Sequence, residues 1–314
     1  MKIAFVGKGG SGKSTLTALF IRYLQSQGRK VLAIDADLNM NLAGLLGVSF
    51  PQDKVLAAPI VADAVRTHLK GQNACIPDIS KFLPTTPPGA GSNLISAYDD
   101  AALSFCSVAA GDTTRLLTVG TYDSEGVGQT CYHSHLFVAE NLLSHTAAND
   151  FDVVCDMVAG TDAFAYSLYL QFDAIILIAE PTPESAEVCA LYTNLAKESG
   201  IQSLVHLVAN KVADNDDLDF IRAKTGLEPL GIVPVMPELK KSRQRGEAVS
   251  YIEALSPLMY SVDHAAHHPT TDAQERLEML HALHEKLNDK QWVKLAYGDV
   301  LGQIDKDFNR GEAA

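Results

Sequence analysis

A glycine-rich loop near the start of the chain contains the residue types that bind a triphosphate. Residues Gly7–Thr15 read G-K-G-G-S-G-K-S-T and fit the pattern G-x-x-x-x-G-K-[ST]. The loop follows the apolar run Ile3–Val6 and precedes a helix that we predict over Ser14–Gln25. In such a strand–loop–helix unit, backbone N–H groups point at phosphate oxygens, the lysine reaches the β- and γ-phosphates, and the hydroxyl binds Mg²⁺. The predicted nucleotide-binding residues of the loop are Gly9, Gly10, Ser11, Gly12, Lys13, Ser14 and Thr15, and Lys13 is also a predicted catalytic residue.

Acidic residues end two other apolar runs. Asp35 and Asp37 follow the run Val31–Ile34, and Asp156 ends the run Asp152–Asp156. Ligands of doubly wound sheets bind beyond the carboxyl ends of the strands, so we expect these carboxylates near the loop. A carboxylate one hydrogen bond away from an attacking water favours hydrolysis, and Asp37 is our candidate for that role. A helix N-cap is the alternative for Asp37, and either an N-cap or an outer-sphere contact to Mg²⁺ fits Asp35.

These residues require a scaffold in which strands and helices alternate. The predicted strands are Ile3–Val6, Val31–Ile34, Leu116–Gly120, Asp152–Asp156, Ala174–Ala179, Val205–Asn210 and Pro229–Val233. The predicted helices are Ser14–Gln25, His135–His145, Ser185–Glu198 and Ala273–Asp289. Continuous apolar strands joined by helices are typical of a parallel sheet that is buried on both faces. We therefore predict an α/β fold with a doubly wound, mostly parallel sheet flanked by helices.

We expect one nucleotide-binding domain with an addition at its carboxyl end. The domain is predicted over residues 1–260, and residues 52–115 form an irregular insertion that contains the proline- and glycine-rich stretch Pro84–Gly91. Residues 261–314 are predicted to form a helical C-terminal extension, because leucines recur at helical spacing in Ala273–Asp289.

The composition is typical of a globular protein. Of the 314 residues, 47 % are hydrophobic and 20 % are charged, and no apolar run approaches the ~20 residues of a membrane span. A net charge of −13 argues against nonspecific nucleic-acid binding, so we expect no nucleic-acid partner. The chain begins with a strand rather than a signal peptide, and its five unevenly spaced cysteines do not form a disulfide pattern. We therefore expect a cytoplasmic location.

A second lysine, Lys8, indicates a more specific class of phosphate-binding loop. Lys8 changes the pattern to K-G-G-x-G-K-[ST], which resembles the deviant Walker A loop of the MinD/ParA/nitrogenase-iron-protein family, in the SIMIBI class of P-loop NTPases. The resemblance implies a homodimer that binds and hydrolyses ATP with Mg²⁺. It also implies that Lys8 is catalytic and reaches across the dimer interface to the nucleotide of the partner subunit.

Two further segments resemble the switches of this family. Residues Asp35–Asn41 are similar to switch I, with Leu38 where proline is commoner, and Asp156–Gly160 are similar to Walker B and switch II. The resemblance makes Asp37 the residue that polarises the attacking water. It places Mg²⁺ on Ser14, Asp37 and Asp156, and it makes Asn41, Ala159 and Gly160 the switch residues that respond to the γ-phosphate.

The resemblance also predicts the residues around the base. Asn210 falls on the position that recognises the base in related proteins, and Pro237 and Glu238 lie in the loop expected to cover its other side. The guanine-specific pattern N-K-x-D is not matched, because Ala213 occupies the position of the aspartate. This favours adenine. A polar residue that simply closes a strand is the alternative for Asn210.

A cysteine–histidine pair precedes the helix that leads to the Walker B strand. Cys131 and His133 stand where CooC-like nickel-inserting maturation ATPases have a C-x-C pair, which two subunits bring together around one metal ion. Thiolate and imidazole both suit Zn²⁺ or Ni²⁺, so we predict a shared Zn²⁺ or Ni²⁺ site at the dimer interface. The alternative is a cluster at the start of a helix, in which Cys131 packs and the histidines cap the helix or face solvent.

Three functions remain open after these motifs. The C-x-H element favours a metallochaperone or metallocofactor-maturation ATPase that resembles the CooC-like proteins, with a client metalloenzyme as partner. The second function is positioning or partitioning, as in ParA and MinD; against stable membrane association, acids outnumber bases over residues 291–314. The third is iron–sulfur electron transfer, which needs a second cysteine shortly after Walker B, where Gly160–Phe164 has none.

Overall fold

The computed structural model describes residues 1–121, 132–147, 150–269 and 271–310, with the side chains of 132–134 left out of the description. One sheet of eight strands contains all the described strands in the order β3-β4-β2-β5-β1-β6-β7-β8. The strands are β1 Lys2–Gly7, β2 Val31–Asp35, β3 Ser107–Ala109, β4 Thr114–Thr118, β5 Asp152–Asp156, β6 Ala174–Ala179, β7 Val205–Val212 and β8 Pro229–Pro234. All neighbours pair in parallel except β3 and β4, so the predicted mostly parallel sheet is confirmed.

Helices cover both faces of this sheet. They are α1 Lys13–Ser26, α2 Asn41–Leu45, α3 Pro59–Lys70, α4 Ala101–Cys106, α5 Tyr132–Ser144, α6 Pro183–Glu198, α7 Asn215–Thr225, α8 Pro237–Gln244, α9 Ser256–His267, α10 Ala273–Asn288 and α11 Gln291–Ala296. Single 3-10 turns lie at Gln52–Lys54, Ile79–Lys81, Asp162–Phe164, Leu168–Leu170, Gln202–Leu204, Glu253–Leu255 and Leu301–Gln303. None of the helices in the described ranges is both long and apolar enough to cross a membrane.

Alternation along each strand divides the core into two layers. In β1, Ile3 and Phe5 pack with residues of α1, α2 and α9, whereas Ala4 and Val6 pack with residues of α3, α5, α6 and α7. Successive strand side chains point to opposite faces, so the continuous apolar runs supply both layers at once. The sheet is therefore doubly wound, as predicted, and its carboxyl edge is fixed from both sides.

The stretch 52–115 contains regular structure that the sequence pattern did not reveal. Helix α3 buries Val61, Ala62, Val65 and Leu69 against the sheet, and α4 leads directly into the short antiparallel strand β3. This stretch is the connection between β2 and β4, with a long loop over residues 71–100.

The C-terminal segment packs against that long loop. The His284 ring lies 2.8 Å from the Thr85 hydroxyl, and Gln303 accepts from Thr86 at 2.8 Å and donates to the Lys81 carbonyl at 2.9 Å. Helix α9 runs across the expected boundary at residues 260 and 261 and packs on β6 and β8. The C-terminal region is helical as predicted, but α9 belongs to the layer that covers the sheet.

Candidate functional site

The phosphate loop joins β1 to the amino end of α1. Its turn is closed by a hydrogen bond from Ser11 N to the Lys8 carbonyl at 3.1 Å. Gly10 and Gly12 have φ values of 88° and 99°, which lie in the left-handed region that favours glycine. A Cβ on Gly7 would lie 2.7 Å from the Ile178 carbonyl oxygen of β6. The loop can therefore take this path only with glycine at these positions.

Lys13 and Asp37 form a buried ion pair at the carboxyl ends of β1 and β2. The Lys13 amine contacts Asp37 Oδ2, and both residues are about 95 % buried, with 5 % and 4 % exposed. Asn39 donates to Asp37 Oδ1 from its backbone N at 3.0 Å and from Nδ2 at 2.8 Å. Burial raises the pKa of Asp37, but the hydrogen bonds from Lys13 and Asn39 outweigh it, so the net pKa is lowered. The Asp37 side chain is therefore ionised, and it is bonded to the Lys13 amine, the group that we expect to bind phosphate.

Asp35 and Asp156 are buried neighbours on β2 and β5. The two residues are in register, and neither exposes any surface. Asp35 accepts from Leu42 N at 2.8 Å and from Asp37 N at 3.2 Å, whereas neither oxygen of Asp156 has a hydrogen-bond partner among the described residues. Burial and the Asp156 charge raise the pKa of Asp35. Burial also raises the pKa of Asp156 to about 7, although the Lys13 charge opposes this.

The unpartnered Asp156 carboxylate fits a bound cation. Ser14 and Thr17 lie beside it and help to lower its pKa, but neither hydroxyl makes a hydrogen bond to it, and Thr17 Oγ1 donates to the Lys13 carbonyl at 2.9 Å. A buried carboxylate without donors is costly unless a positive charge faces it. Ser14, Asp37 and Asp156 would offer only oxygen atoms, which Mg²⁺ prefers, and Mg²⁺ sites commonly take one or two carboxylates with the remaining ligands from water and substrate phosphates.

Of the predicted switch residues, Ala159 and Gly160 lie against the phosphate loop, whereas Asn41 is exposed at the start of α2. Asn41 begins α2 with an exposed side chain, after Met40 in a left-handed conformation with φ of 47°. Gly160 N donates to the Gly7 carbonyl at 3.2 Å, and Ala159 Cβ lies 4.0 Å from where a Gly9 Cβ would be. The segment after β5 therefore touches the phosphate loop directly, and any shift of the loop would reach it.

Lys8 differs from Lys13 in its surroundings. Its side chain is half-buried, and its amine makes no hydrogen bond or ion pair with any residue that the structure describes. Among the residues that the structure describes, Lys8 is thus an unpaired cation in the loop, while Lys13 is the lysine bonded to Asp37.

A cavity of about 450 Å³ lies on the base side of the loop. We call it the base-side cavity; its walls are Gly10, Gly12, Thr15, Leu16, Asn210, Lys211, Val233–Pro237, Leu239, Lys240 and Arg243. Asn210 Nδ2 donates to the Ser11 carbonyl at 2.6 Å, and Asn210 Oδ1 accepts from Lys211 N at 3.0 Å, so both ends of the amide are engaged by the protein. Pro237 lines the cavity. Glu238 does not, because its side chain is 81 % exposed and pairs with Lys241 at 2.8 Å.

Lys211 has a role that sequence reasoning did not assign. Its amine donates to the Gly10 carbonyl at 2.7 Å and to Glu180 Oε2 at 2.5 Å, and its φ is 59°. It therefore ties the phosphate loop to the ends of β6 and β7. The available signal was that Glu180 and Lys211 both stand at the ends of buried strands.

The predicted interface metal ligands cannot be placed. Cys131 lies outside the described residues, as does the side chain of His133, although the backbone of His133 belongs to the first turn of α5. Burial raises the pKa of Cys106 and of Cys189 to about 12, so neither thiol is a ready metal ligand. In the described ranges, no group of three or more histidine, cysteine, aspartate or glutamate residues is arranged to hold a metal ion.

A comparison with known families identifies the family of this chain. The model of the CobQ/CobB/MinD/ParA nucleotide binding domain matches residues 3–310. The chain belongs to this family. The match confirms the predicted membership in the MinD/ParA group, and it extends through the segment that we expected to be a separate extension.

Individual relatives cover most of the chain. The carbon monoxide dehydrogenase accessory protein CooC of Rhodospirillum rubrum is 31 % identical over 248 residues, which is 78 % of this chain and 88 % of the relative. An uncharacterized ATP-binding protein of Methanocaldococcus jannaschii is 29 % identical over 254 residues, which is 80 % of this chain and 91 % of the relative.

Solved structures of the family share the fold. A ParA family ATPase from Chlorobium tepidum superposes with a TM-score of 0.56 at 18 % identity, covering 85 % of this chain and 99 % of that one. The cell division ATPase MinD of Pyrococcus furiosus has a TM-score of 0.56 at 21 % identity, covering 84 % and 99 %. At these identities the likeness concerns the fold alone.

Proposed function

We propose that this chain binds ATP with Mg²⁺ and hydrolyses it as a homodimer. One observation supports this above all: a buried lysine on the phosphate loop, a carboxylate bonded to that lysine, and an unpartnered carboxylate on the neighbouring strand converge at one edge of the sheet. These are the groups that bind a triphosphate, orient a water and hold a cation. The base-side cavity has the size of a small-molecule site.

The residues divide the reaction between them. Lys13 leaves Asp37 for the β- and γ-phosphates when ATP binds, which frees the Asp37 carboxylate to orient the attacking water. Ser14 and Asp156 would hold Mg²⁺, which would supply positive charge to neutralise the phosphates. The water oxygen attacks the γ-phosphorus, the bond from the γ-phosphorus to the β–γ bridging oxygen breaks, and ADP leaves with that oxygen. One proton of the water passes to an oxygen of the released phosphate. Lys8 of the opposite subunit stabilises the charge that develops on the leaving oxygens.

The biological role we propose is maturation of a metal-containing enzyme. It is supported by the 31 % identity to the CooC accessory protein and by Cys131 and His133, which offer a thiolate and an imidazole. Two copies of this pair supply four ligands, enough for a tetrahedral ion. The cargo is Zn²⁺ or Ni²⁺, the client is a metalloenzyme, and the cytoplasm is the proposed location.

Elemental analysis of the purified protein tests this role. With ATP, we expect the wild type to contain one more Zn²⁺ or Ni²⁺ for every two chains than Cys131→Ser contains. Cys75→Ser is the matched control, because Cys75 is a free and half-buried thiol outside the proposed site, and it should keep the ion. Metal-free protein that binds DNA or liposomes in an ATP-dependent way would instead support the ParA/MinD-like positioning function.

A further inference from the structure

A second cavity lies at the edge of the sheet opposite the nucleotide site. We call it the histidine cavity; it measures about 580 Å³, and the walls that matter here are Asp173, His206, Tyr260, His264 and His268. Asp173 immediately precedes β6 and His206 is the second residue of β7, so the cavity opens at the amino ends of these strands. The phosphate loop follows the carboxyl end of β1, and the two sites are therefore on opposite edges.

Two histidines meet at this cavity through helical spacing. His264 lies in the last turn of α9 and His268 directly follows its final residue, His267. Residues four apart project from the same side of a helix, and the ring centroids of His264 and His268 are 4.3 Å apart. Both side chains are exposed, and their ring nitrogens make no hydrogen bond within the part of the chain that the structure describes.

The neighbouring histidine has a different environment. His267 Nδ1 lies 2.9 Å from the Asp263 carbonyl oxygen, and its Nε2 lies 3.2 Å from Arg29 Nη2. His267 is thus engaged by protein groups, although it adjoins His268 in the sequence. The imidazoles of His264 and His268 are therefore available to bind a ligand, whereas that of His267, on the same helix, is not.

We propose that His264 and His268 together chelate one transition-metal ion of the class of Zn²⁺, Ni²⁺ or Cu²⁺. Imidazole nitrogen suits these ions, and two nitrogens at about 2.0–2.1 Å from one ion must approach each other to about 3 Å. The two rings are already neighbours, with an interplanar angle of 47°, and side-chain rotation can bring their nitrogens to that separation. The site has two protein ligands, in keeping with the lack of any larger ligand group in the described ranges. Water completes the coordination, and the cavity has room for it.

The Asp173 carboxylate in the cavity wall does not compete for the ion. Asp173 Oδ2 accepts from Lys2 N at 2.6 Å and Oδ1 pairs with Arg276 at 2.7 Å, so this carboxylate is already neutralised. The proposal does not depend on the nucleotide site or on the metal site proposed at Cys131.

Equilibrium dialysis with Zn²⁺ alone, in nucleotide-free buffer, tests the site. The parent for this experiment is the full chain carrying Cys131→Ser and His133→Ala, so that the proposed interface site contributes nothing. We expect the parent to bind one Zn²⁺ per chain. His264→Ala and His268→Ala should each weaken this binding by about tenfold or more, the lower end of what loss of a supporting partner costs a metal site.

His267→Ala is the matched control on the same helix and should leave the affinity within about twofold of the parent. Since His264 and His268 are exposed, their variants should keep the thermal midpoint of the parent, which removes misfolding as an explanation. Unchanged Zn²⁺ binding in His264→Ala and His268→Ala would overturn the proposal. So would an equal loss in His267→Ala, which would indicate nonspecific binding to a histidine-rich surface.

Discussion

At the scale of single residues, the Lys13–Asp37 ion pair sets the state of the site without nucleotide. The lysine that we propose binds phosphate is bonded to the carboxylate that we propose acts in hydrolysis, and both are buried. ATP must therefore exchange one lysine–oxygen contact for another. Because of this exchange, mutation of Lys13 and mutation of Asp37 should have different effects on ATP binding.

Lys13→Ala should abolish nucleotide binding, whereas Asp37→Ala should retain it and lose hydrolysis. Removing one partner of a buried, hydrogen-bonded charge pair costs 2 kcal/mol or more, so the affinity of Lys13→Ala for ATP should fall at least about thirtyfold. Asp37→Ala leaves the lysine free for phosphate, so its affinity should match or exceed that of the wild type. Titration with a fluorescent ATP analogue measures both; equal losses in the two variants would contradict the assignment.

Glu140 gives a prediction for the pH dependence of stability. It is buried in α5, and Ser167 donates to its Oε2 from N at 2.7 Å and from Oγ at 2.6 Å. Burial raises its pKa from 4.5 to about 7 despite these bonds. Between these two values the folded state keeps a proton that the unfolded state releases, so the contribution of Glu140 to the free energy of unfolding falls as the pH rises and then levels off above about pH 7.

Glu140→Gln should remove the fall in the free energy of unfolding that Glu140 causes as the pH rises. Relative to the wild type, the variant should gain about 3 kcal/mol in free energy of unfolding between pH 4.5 and pH 7, from about 1.4 kcal/mol for each unit of pKa difference. Urea unfolding at pH 5 and pH 8 measures the difference. Glu187→Gln, which removes the same charge from an exposed position, is the control. A similar pH profile in both variants would show that Glu140 is not the source.

At the scale of elements, the phosphate loop depends on the backbone of Gly12. Its φ of 99° is disfavoured for other residues, and a Cβ there would collide with the Asn210 amide that donates to Ser11. Gly28 also has a positive φ, of 71°, but a Cβ there would meet nothing within 4 Å. Alanine substitutions at the two glycines therefore distinguish the cost of backbone strain, which both share, from the cost of a lost contact, which applies to Gly12 alone.

Gly28→Ala should lower the free energy of unfolding by about 1–2 kcal/mol, the cost of a left-handed conformation. Gly12→Ala should cost about 1 kcal/mol more, because the hydrogen bond from Asn210 to Ser11 is also broken, and it should bind ATP poorly. Chemical unfolding and the fluorescent ATP titration measure these effects. If Gly12→Ala were as stable as Gly28→Ala and bound ATP normally, the role given to the hydrogen bond between Asn210 and Ser11 would be refuted.

Elements that are defined by local pattern were predictable from the sequence, and long-range contacts were not. The central strands appeared as apolar runs because both of their faces are buried. Helix α3 was missed although its buried residues recur at helical spacing and Pro59 stands in its first turn, because proline-, glycine- and serine-rich segments surround it. The contacts of His284 and Gln303 with the loop at Thr85 and Thr86 join residues about 200 positions apart, and no local pattern encodes such pairings.

The candidate site was predictable to the same extent. The phosphate loop and the strand-end aspartates are set by short motifs, and the structure brings Lys13, Asp37 and Asp156 together. The Lys13–Asp37 bond, the two protein contacts of Asn210 and the Lys211 bridge to Gly10 depend on side-chain directions that a motif does not specify. The exposed position of Glu238, away from the base-side cavity, also depends on a side-chain direction that a motif does not specify.

At the scale of the whole molecule, one sheet separates two sites of different chemistry. The carboxyl edge holds the oxygen- and amine-rich nucleotide site, and the amino edge holds the histidine cavity. The family match spans both. Lys8, which has no partner within the described part of the chain, is the residue that we propose links the nucleotide site to a second copy of the chain.

Mixing two inactive variants tests the proposed dimer most directly. Lys8→Ala and Asp37→Ala should each bind ATP and fail to hydrolyse it. In a mixed dimer, one site combines the intact Asp37 of one subunit with the intact Lys8 of the other. An equal mixture should therefore recover about a quarter of the wild-type rate of phosphate release, since half of the dimers are mixed and one of their two sites is complete. If Lys8 acted within its own subunit, no site in any dimer would be complete, and a mixture as inactive as its components would contradict the account.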